Sequence, residues 1–392
     1  MPVPAHLPAL SALPRLFAAL GVACACALGA AEQPPASAVL LAGDGQLYSG
    51  VPSVATGTLS IGAGSTTLDR IIDCSFAVDR LHWLDQGVIL ADGQVLRGAV
   101  HEYQNGTLDF ASDLLGEQSI AAATLSAIVL SPINAGRPLA ATSGTPGVVL
   151  ANGEHISGQV TFVDQDAVGI TVGKHVRTIP RDRIRLVILR SCVPVQGTWV
   201  QLVSGDMLCA TLSALGDDGA SLGTTFGTLH VPAAQLASLW SEIPSLQPLD
   251  RLPAVATRVA SLDEDFPARQ GEEPVAAITL VGATLPANFP ANEVRRGIVI
   301  PVGTTLTWSA LQGATSLVGE VGPNEGQDSV TCAVLVDGKE VFSSGPLAPG
   351  AAPKPFAVPL GAATTLALQV RHGDDAALSS GSAVWSCPTL VK

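Results

Sequence analysis

One pattern occurs four times in the first two thirds of the chain, and it limits the fold more than any other feature. An apolar strand runs into a polar residue followed by glycine, and a second strand then reaches a small residue five positions after that glycine. The four copies are 39–50 (VLLAGDGQLYSG), 88–98 (VILADGQVLRG), 148–158 (VVLANGEHISG) and 200–210 (VQLVSGDMLCA). The turn glycines are Gly45, Gly93, Gly153 and Gly205. Asp-Gly, Asn-Gly and Ser-Gly suit a two-residue hairpin turn because both positions tolerate positive φ. The small residues Gly50, Gly98, Gly158 and Ala210 predict a bulge or a sharp bend in the second strand.

Each copy continues alike. In the third, a strand over 167–172 is followed by 176–180 and then by the apolar stretch 184–188. The equivalents of that last stretch lie at 120–130, 229–239 and, more loosely, 71–83. Pro180 and Pro232 predict a single 3₁₀ turn before it. Four or five short bent strands in about 50 residues make an SH3- or Sm-like small β-barrel, and units this small bury too little core alone. The repeats therefore span 37–86, 87–132, 146–192 and 197–242 and are expected to pack on one another. Barrels of this kind also bind peptides, glycans or RNA. A Pro-rich connector follows over 243–274, where Leu246, Leu249 and Leu252 still need an apolar contact.

The last third is also β. Alternation from Val330 to Val336 has the period of a half-buried strand, Asp337-Gly338 supplies a type I′ turn, and Val341-Phe342 returns. Residues 356–360, 366–370 and a final strand holding Trp385 complete an antiparallel sandwich with no helix-length apolar pattern. The fold class is thus all-β: tandem small barrels, then a β-sandwich.

Six motifs in 318–386 carry a resemblance. They are VGEVG (318–322), VDGK (336–339), VFSSG (341–345), PKPFAV (353–358), LALQV (366–370) and AVWS (383–386), with RGIVI (296–300) upstream. In this order the region 275–392 resembles the NPCBM family of modules found beside glycoside hydrolases. Joined to tandem repeats and an export signal, the chain is similar to exported multi-domain NPCBM proteins of the planctomycete type. The resemblance implies a galactose-binding-like jelly roll and a glycan ligand. Family members usually carry a His where Ile300 stands and His-Ala-Asp-Trp where this chain has Ser382-Ala-Val-Trp385, so two polar groups have no counterpart here.

The N-terminus has the order of a secretory signal over 1–31: His6 and Arg15, an apolar run from Leu16 to Leu28, then Gly29-Ala-Ala31. The run is short for a membrane span, and no later one reaches that length, so an exported chain without a transmembrane segment is expected, in the periplasm, at the cell surface or outside the cell. A net charge of −13, with no run of basic residues, argues against nucleic acid as a partner. Envelope proteins are the other expected class of partner. Five cysteines follow the signal; Cys332 and Cys387 lie in one domain, where export permits a disulfide, and two buried thiols are the alternative.

No catalytic constellation emerges. The seven His show no metal spacing, and the acidic run Asp263-Glu-Asp265 reads as linker charge, so neither an enzyme nor a bound metal is expected. A glycosidase site between repeats is the runner-up. Candidate carbohydrate-binding residues are Asn324, Glu325 and Asp328 in an acidic, amide-bearing loop, and Arg371 and His372 after a strand. Carboxylates and amides pair with sugar hydroxyls and also suit Ca²⁺, while guanidinium offers a planar donor fork. Each group suits a solvated turn equally well. Trp385 completes the set as a ring for stacking a sugar, or as core.

Overall fold

The computed structural model describes residues 38–76, 84–132, 144–258, 272–273, 297–309, 311, 313–324, 329–373 and 381–392. Residues 1–31, expected as an export signal, lie outside them. The described chain is all-β, with no α-helix and five single 3₁₀ turns.

The four repeats share one element order. In the first, strands Ala38–Ala42, Leu47–Gly50, Pro52–Ala55, Thr58–Ile61 and Gly64–Thr67 precede a 3₁₀ turn and a last strand, Ile71–Phe76. In each repeat the first strand pairs antiparallel with the last, as Gly147–Leu150 does with Ile184–Ile188. The 3₁₀ turns begin directly after Pro180 and Pro232, as their fixed φ predicts.

The repeat turns differ from the expected type. Only the glycine takes positive φ: 78° at Gly45, 90° at Gly93, 89° at Gly153 and 97° at Gly205. The Gly45 N–H donates to Ala42 O (2.9 Å) and the Ala42 N–H to Gln46 O (3.1 Å), a type I turn closed by a glycine bulge. The preceding Asp or Asn serves through its side chain: Asp44 Oδ1 accepts from Gln46 N (3.0 Å) and Asn152 Oδ1 from Glu154 N (3.0 Å). At Asp337-Gly338 both residues do have positive φ, 48° and 77°, so the type I′ prediction holds there.

The bend glycines are set by close backbone approach. A Cβ on Gly98 (φ +155°) would sit 2.0 Å from the Ala111 carbonyl oxygen, because strand Val95–Gln104 folds over its neighbour there.

The last strands of repeats 1 and 2 are buried along their whole length and those of repeats 3 and 4 at all but one position, so they lack the alternation of a one-sided strand. They join the repeats in two pairs. Ile71–Phe76 pairs with Leu236–Glu242, and Leu125–Val129 pairs with Ile184–Ile188. Repeat 1 is thus joined to 4 and repeat 2 to 3, with corresponding second contacts at Val54↔Leu215 and Tyr103↔Val163. The two pairs meet at Val95↔Met207, where buried Asp206 accepts from Arg97 N (2.8 Å) and Ser204 Oγ (2.5 Å). Loss of water raises the Asp206 carboxyl above its ordinary range, against the pull of these two donors. One continuous core runs through all four repeats, and Trp199 and Trp240 stack at 6.1 Å in a second cluster beside it.

The C-terminal region is a sandwich of two antiparallel sheets. One contains Leu246–Pro248, Ser382–Val391, Ser316–Pro323, Lys354–Pro359 and Gly297–Pro301. The other contains Glu272–Glu273, Val255–Arg258, Thr304–Trp308, Leu366–His372, Val330–Val336 and Lys339–Leu347. The stretch expected as a connector therefore supplies one strand to the first sheet and two to the second: Leu246 pairs with Val391, Val255 with Thr307 and Ala256 with Glu273. Leu249 enters the sandwich core. The outer face of the first sheet is covered by repeat 1, where Leu41 and Ile72 pack with Val318 and Cys387. A Cβ on Gly45 would meet the Ala357 methyl at 2.6 Å, so the first repeat turn touches this sheet.

Candidate functional site

Six strand ends meet at one end of the sandwich, held by main-chain bonds. Asn324, just past strand Ser316–Pro323, donates its N–H to Ser382 O (2.9 Å) and its Nδ2 to Ser382 Oγ (2.9 Å). The Gly373 N–H donates to Ser329 O (3.0 Å), Val302 N to Gly381 O (3.0 Å) and Gly303 N to Val370 O (2.8 Å). These bonds fix the bases of the loops around 325–328 and 374–380. Glu325 and Asp328 lie outside the described residues.

Arg371 and His372 close strand Leu366–His372 at this same end, opposite Thr331 and Val330. The Arg371 guanidinium runs along the outer face of its sheet, where Nη2 donates to Glu340 Oε2 at 2.7 Å. Both side chains are about two-fifths exposed (43% and 41%), so the pair is weak in energy but does fix the fork's direction. Gln369 donates to Thr305 Oγ1 on the same face (3.1 Å). Thr305, Gln369, Arg371 and Glu340 thus form a polar strip running up to the loop end. Glu340 and Ser382 were not among the expected residues. Position two after the Asp337-Gly338 turn, cross-strand from Leu335, was the available signal for Glu340.

One expectation is corrected, and one of two alternatives is met. Trp385 presents no ring to solvent: it is fully buried, lies edge-on to Phe356 (5.4 Å, 75°) and belongs to the core. The final strand alternates with Trp385 directly opposite Val321, and that face points between the sheets. Its indole N–H has no hydrogen-bond partner among the described residues. Cys332 and Cys387 are not bonded to each other. Cys332 packs inside the sandwich and Cys387 on the far side of one sheet, against repeat 1, so sheet backbone separates them. Burial pushes the Cys332 thiol up to about 12, opposed by a hydrogen bond with Ser344 and by the Arg371 charge.

Among the described residues no three His, Cys, Asp or Glu side chains gather as a metal site. Nor is any helix there long and apolar enough to cross a membrane.

This sandwich coincides with a known family of modules. Residues 276–391 match the NPCBM/NEW2 domain. Several solved structures resemble the chain. CBM51 from Clostridium perfringens GH95, in complex with methyl-galactose, is 20% identical with a TM-score of 0.27, over 37% of this chain and 99% of that one. The tandem CBM51 modules of the family 98 glycoside hydrolase from Streptococcus pneumoniae SP3-BS71 are 12% identical with a TM-score of 0.27, over 90% and 87%. CBM51-2 with the INT domains of Clostridium perfringens ZmpB is 17% identical with a TM-score of 0.28, and this chain spans 36% of its length. No curated protein matches the chain. At these TM-scores the assignment rests on the NPCBM/NEW2 match alone, and that match supports a carbohydrate-binding module.

Proposed function

We propose that the chain is a non-catalytic, exported protein whose C-terminal sandwich binds a glycan of the cell envelope or its surroundings. One observation carries the reading: the NPCBM/NEW2 match over 276–391 falls on a sandwich with a loop end and a polar strip open to solvent. In this reading the sandwich is a jelly roll over 275–392. The four repeats are small SH3- or Sm-like barrels that support it, in line with their shared element order and first-to-last strand pairing. The N-terminal 31 residues are the export signal.

Asn324, Arg371 and His372, with the loops of Glu325 and Asp328, form the sugar-binding end. Arg371 leaves Glu340 to donate to a sugar hydroxyl, or holds Glu340 as the acceptor while donating with its other N–H groups.

A second reading is favoured by one observation. With Trp385 buried, no aromatic ring is exposed at the loop end among the described residues, and stacking on such a ring is a common source of sugar affinity. An envelope scaffold that holds protein partners then fits better. A glycan array on the full-length chain separates the two. The proposal expects galactose-like hits that weaken about tenfold or more on Arg371→Ala, the loss of a charged hydrogen bond worth about 1.5–3 kcal/mol. Silence across the array from folded protein would favour the scaffold.

A further inference from the structure

Repeat 3 differs in charge from every other part of the chain. Residues 174–190 hold six of the twenty Lys and Arg: Lys174, Arg177, Arg181, Arg183, Arg185 and Arg190. They are spaced singly, so no run shows in the sequence. Repeat 4 (197–242) has no Lys or Arg at all, and repeat 2 (87–132) has one against five carboxylates.

A cavity of about 470 Å³ opens at the last of these, Arg190, in the seam between repeats 2 and 3. Its volume is that of a small-ligand pocket. Tyr103, Val160 and Ile188 give it an apolar side; Ser157, Gln159 and Arg190 give it a hydroxyl, an amide and a cation. No carboxylate lines it. Arg190 is held in place, donating Nη1 to Ala123 O (3.1 Å) and Nη2 to Ala122 O (3.0 Å). A guanidinium has five N–H groups, so three remain for a ligand. Arg177 lies cross-strand from Ile170, which pairs with Val160 of the cavity wall, so Arg177 stands two strand spacings, about 10 Å, from that wall with the buried Ile170 between them. Lys174 and His175 follow at the exposed strand end.

We infer that this seam binds an acidic oligosaccharide, with a uronic-acid carboxylate on Arg190 and the other cations of repeat 3 adding a longer-range attraction. The chemistry of each wall supports this class. Hydroxyls and an amide suit a polyol, the apolar side suits the C–H face of a sugar ring, and a clamped guanidinium without a carboxylate suits an anion. A protein of net charge −13 repels polyanions elsewhere, so the local cations direct the ligand to this face. The site lies in the repeats and is independent of the sandwich reading.

The test is calorimetric titration of the full-length chain with trigalacturonate, with neutral galactotriose and a single-stranded oligonucleotide as comparators. Trigalacturonate is expected to bind and to weaken as salt rises. Gln159→Trp places a large ring on an exposed strand position at the cavity, leaves the Arg190 clamp intact, and is expected to weaken binding at least tenfold. Arg177→Gln is expected to weaken it a few-fold and to reduce its salt dependence. Neither change should alter galactotriose binding, which reports on the sandwich. No trigalacturonate binding by folded protein would overturn the inference. So would binding that Gln159→Trp leaves unchanged, or an oligonucleotide that competes equally in that variant, since either describes a general polyanion surface.

Discussion

Replacing Trp385 separates a core role from a sugar-stacking role. The ring is fully buried and edge-on to Phe356, which itself packs on Phe342 (5.4 Å). Truncating a core aromatic to Ala costs about 3–5 kcal/mol. The wild-type residue already carries an unpaired buried indole N–H, a penalty of about 1–3 kcal/mol that the truncation also removes. Trp385→Ala should therefore fall near the lower end, at about 3–4 kcal/mol. Trp385→Phe keeps the edge contact and removes the unpaired donor, at the loss of about 1 kcal/mol of ring burial. It should be neutral or stabilising by up to about 2 kcal/mol. Native-state hydrogen exchange of the sandwich amides, such as Leu368, Val370 and Val334, reads both effects in the full-length chain. If Trp385→Ala shifts their opening energies by less than about 1 kcal/mol while abolishing glycan binding, the core assignment is wrong.

Three further outcomes follow from the geometry. Gly98→Ala should destabilise the repeats by about 2–4 kcal/mol through its clash with Ala111 O. Gly106→Ala, with open space around it, should cost only about 1–2 kcal/mol through its φ of 79°; thermal melts compare the two. Asp206 has a raised carboxyl pKa, so the folded state holds its proton more tightly than the unfolded chain, and this group's contribution to stability falls as pH rises through the folded pKa. Asp206→Asn, which keeps an acceptor for Arg97 N–H, should remove that pH dependence and melt no lower than wild type at pH 7, as a pH series of melts would show. Cys332, with its thiol near 12, should resist iodoacetamide at pH 8 in native protein and react in urea, as peptide mapping would show.

Much of the fold was legible because the chain repeats its local chemistry. Each turn glycine, each bend glycine and the prolines before the 3₁₀ turns act within a few residues, so Gly45, Gly98 and Pro180 can be located from sequence alone. The turn type was missed because Asp and Asn suit two geometries: a type I′ turn through backbone φ, or a type I turn through a side-chain bond like that of Asp44 to Gln46 N. The joining of repeat 1 to 4 and of 2 to 3 was not legible. It depends on which buried last strands lie side by side, and Ile71–Phe76 and Leu125–Val129 are both buried at every position. The strands at Leu246–Pro248 and Val255–Arg258 were hidden by the surrounding prolines. At the candidate site, Asn324 stands just past a strand end, while Arg371 and His372, expected after a strand, are its last two residues. The sequence carried no sign of the Arg371–Glu340 pair, which depends on cross-strand register, or of the inward side of Trp385, which depends on strand phase.

The most direct test of the glycan-binding claim is where a sugar lands on the full-length chain. The array hit with the strongest signal is titrated into isotope-labelled protein while backbone amide shifts are followed. The account predicts shifts concentrated at Asn324, Gln369, His372, Gly373 and Ser382, with little change in 38–242 for a neutral sugar. Saturating shifts confined to the repeats, or none at all at millimolar sugar, would contradict it.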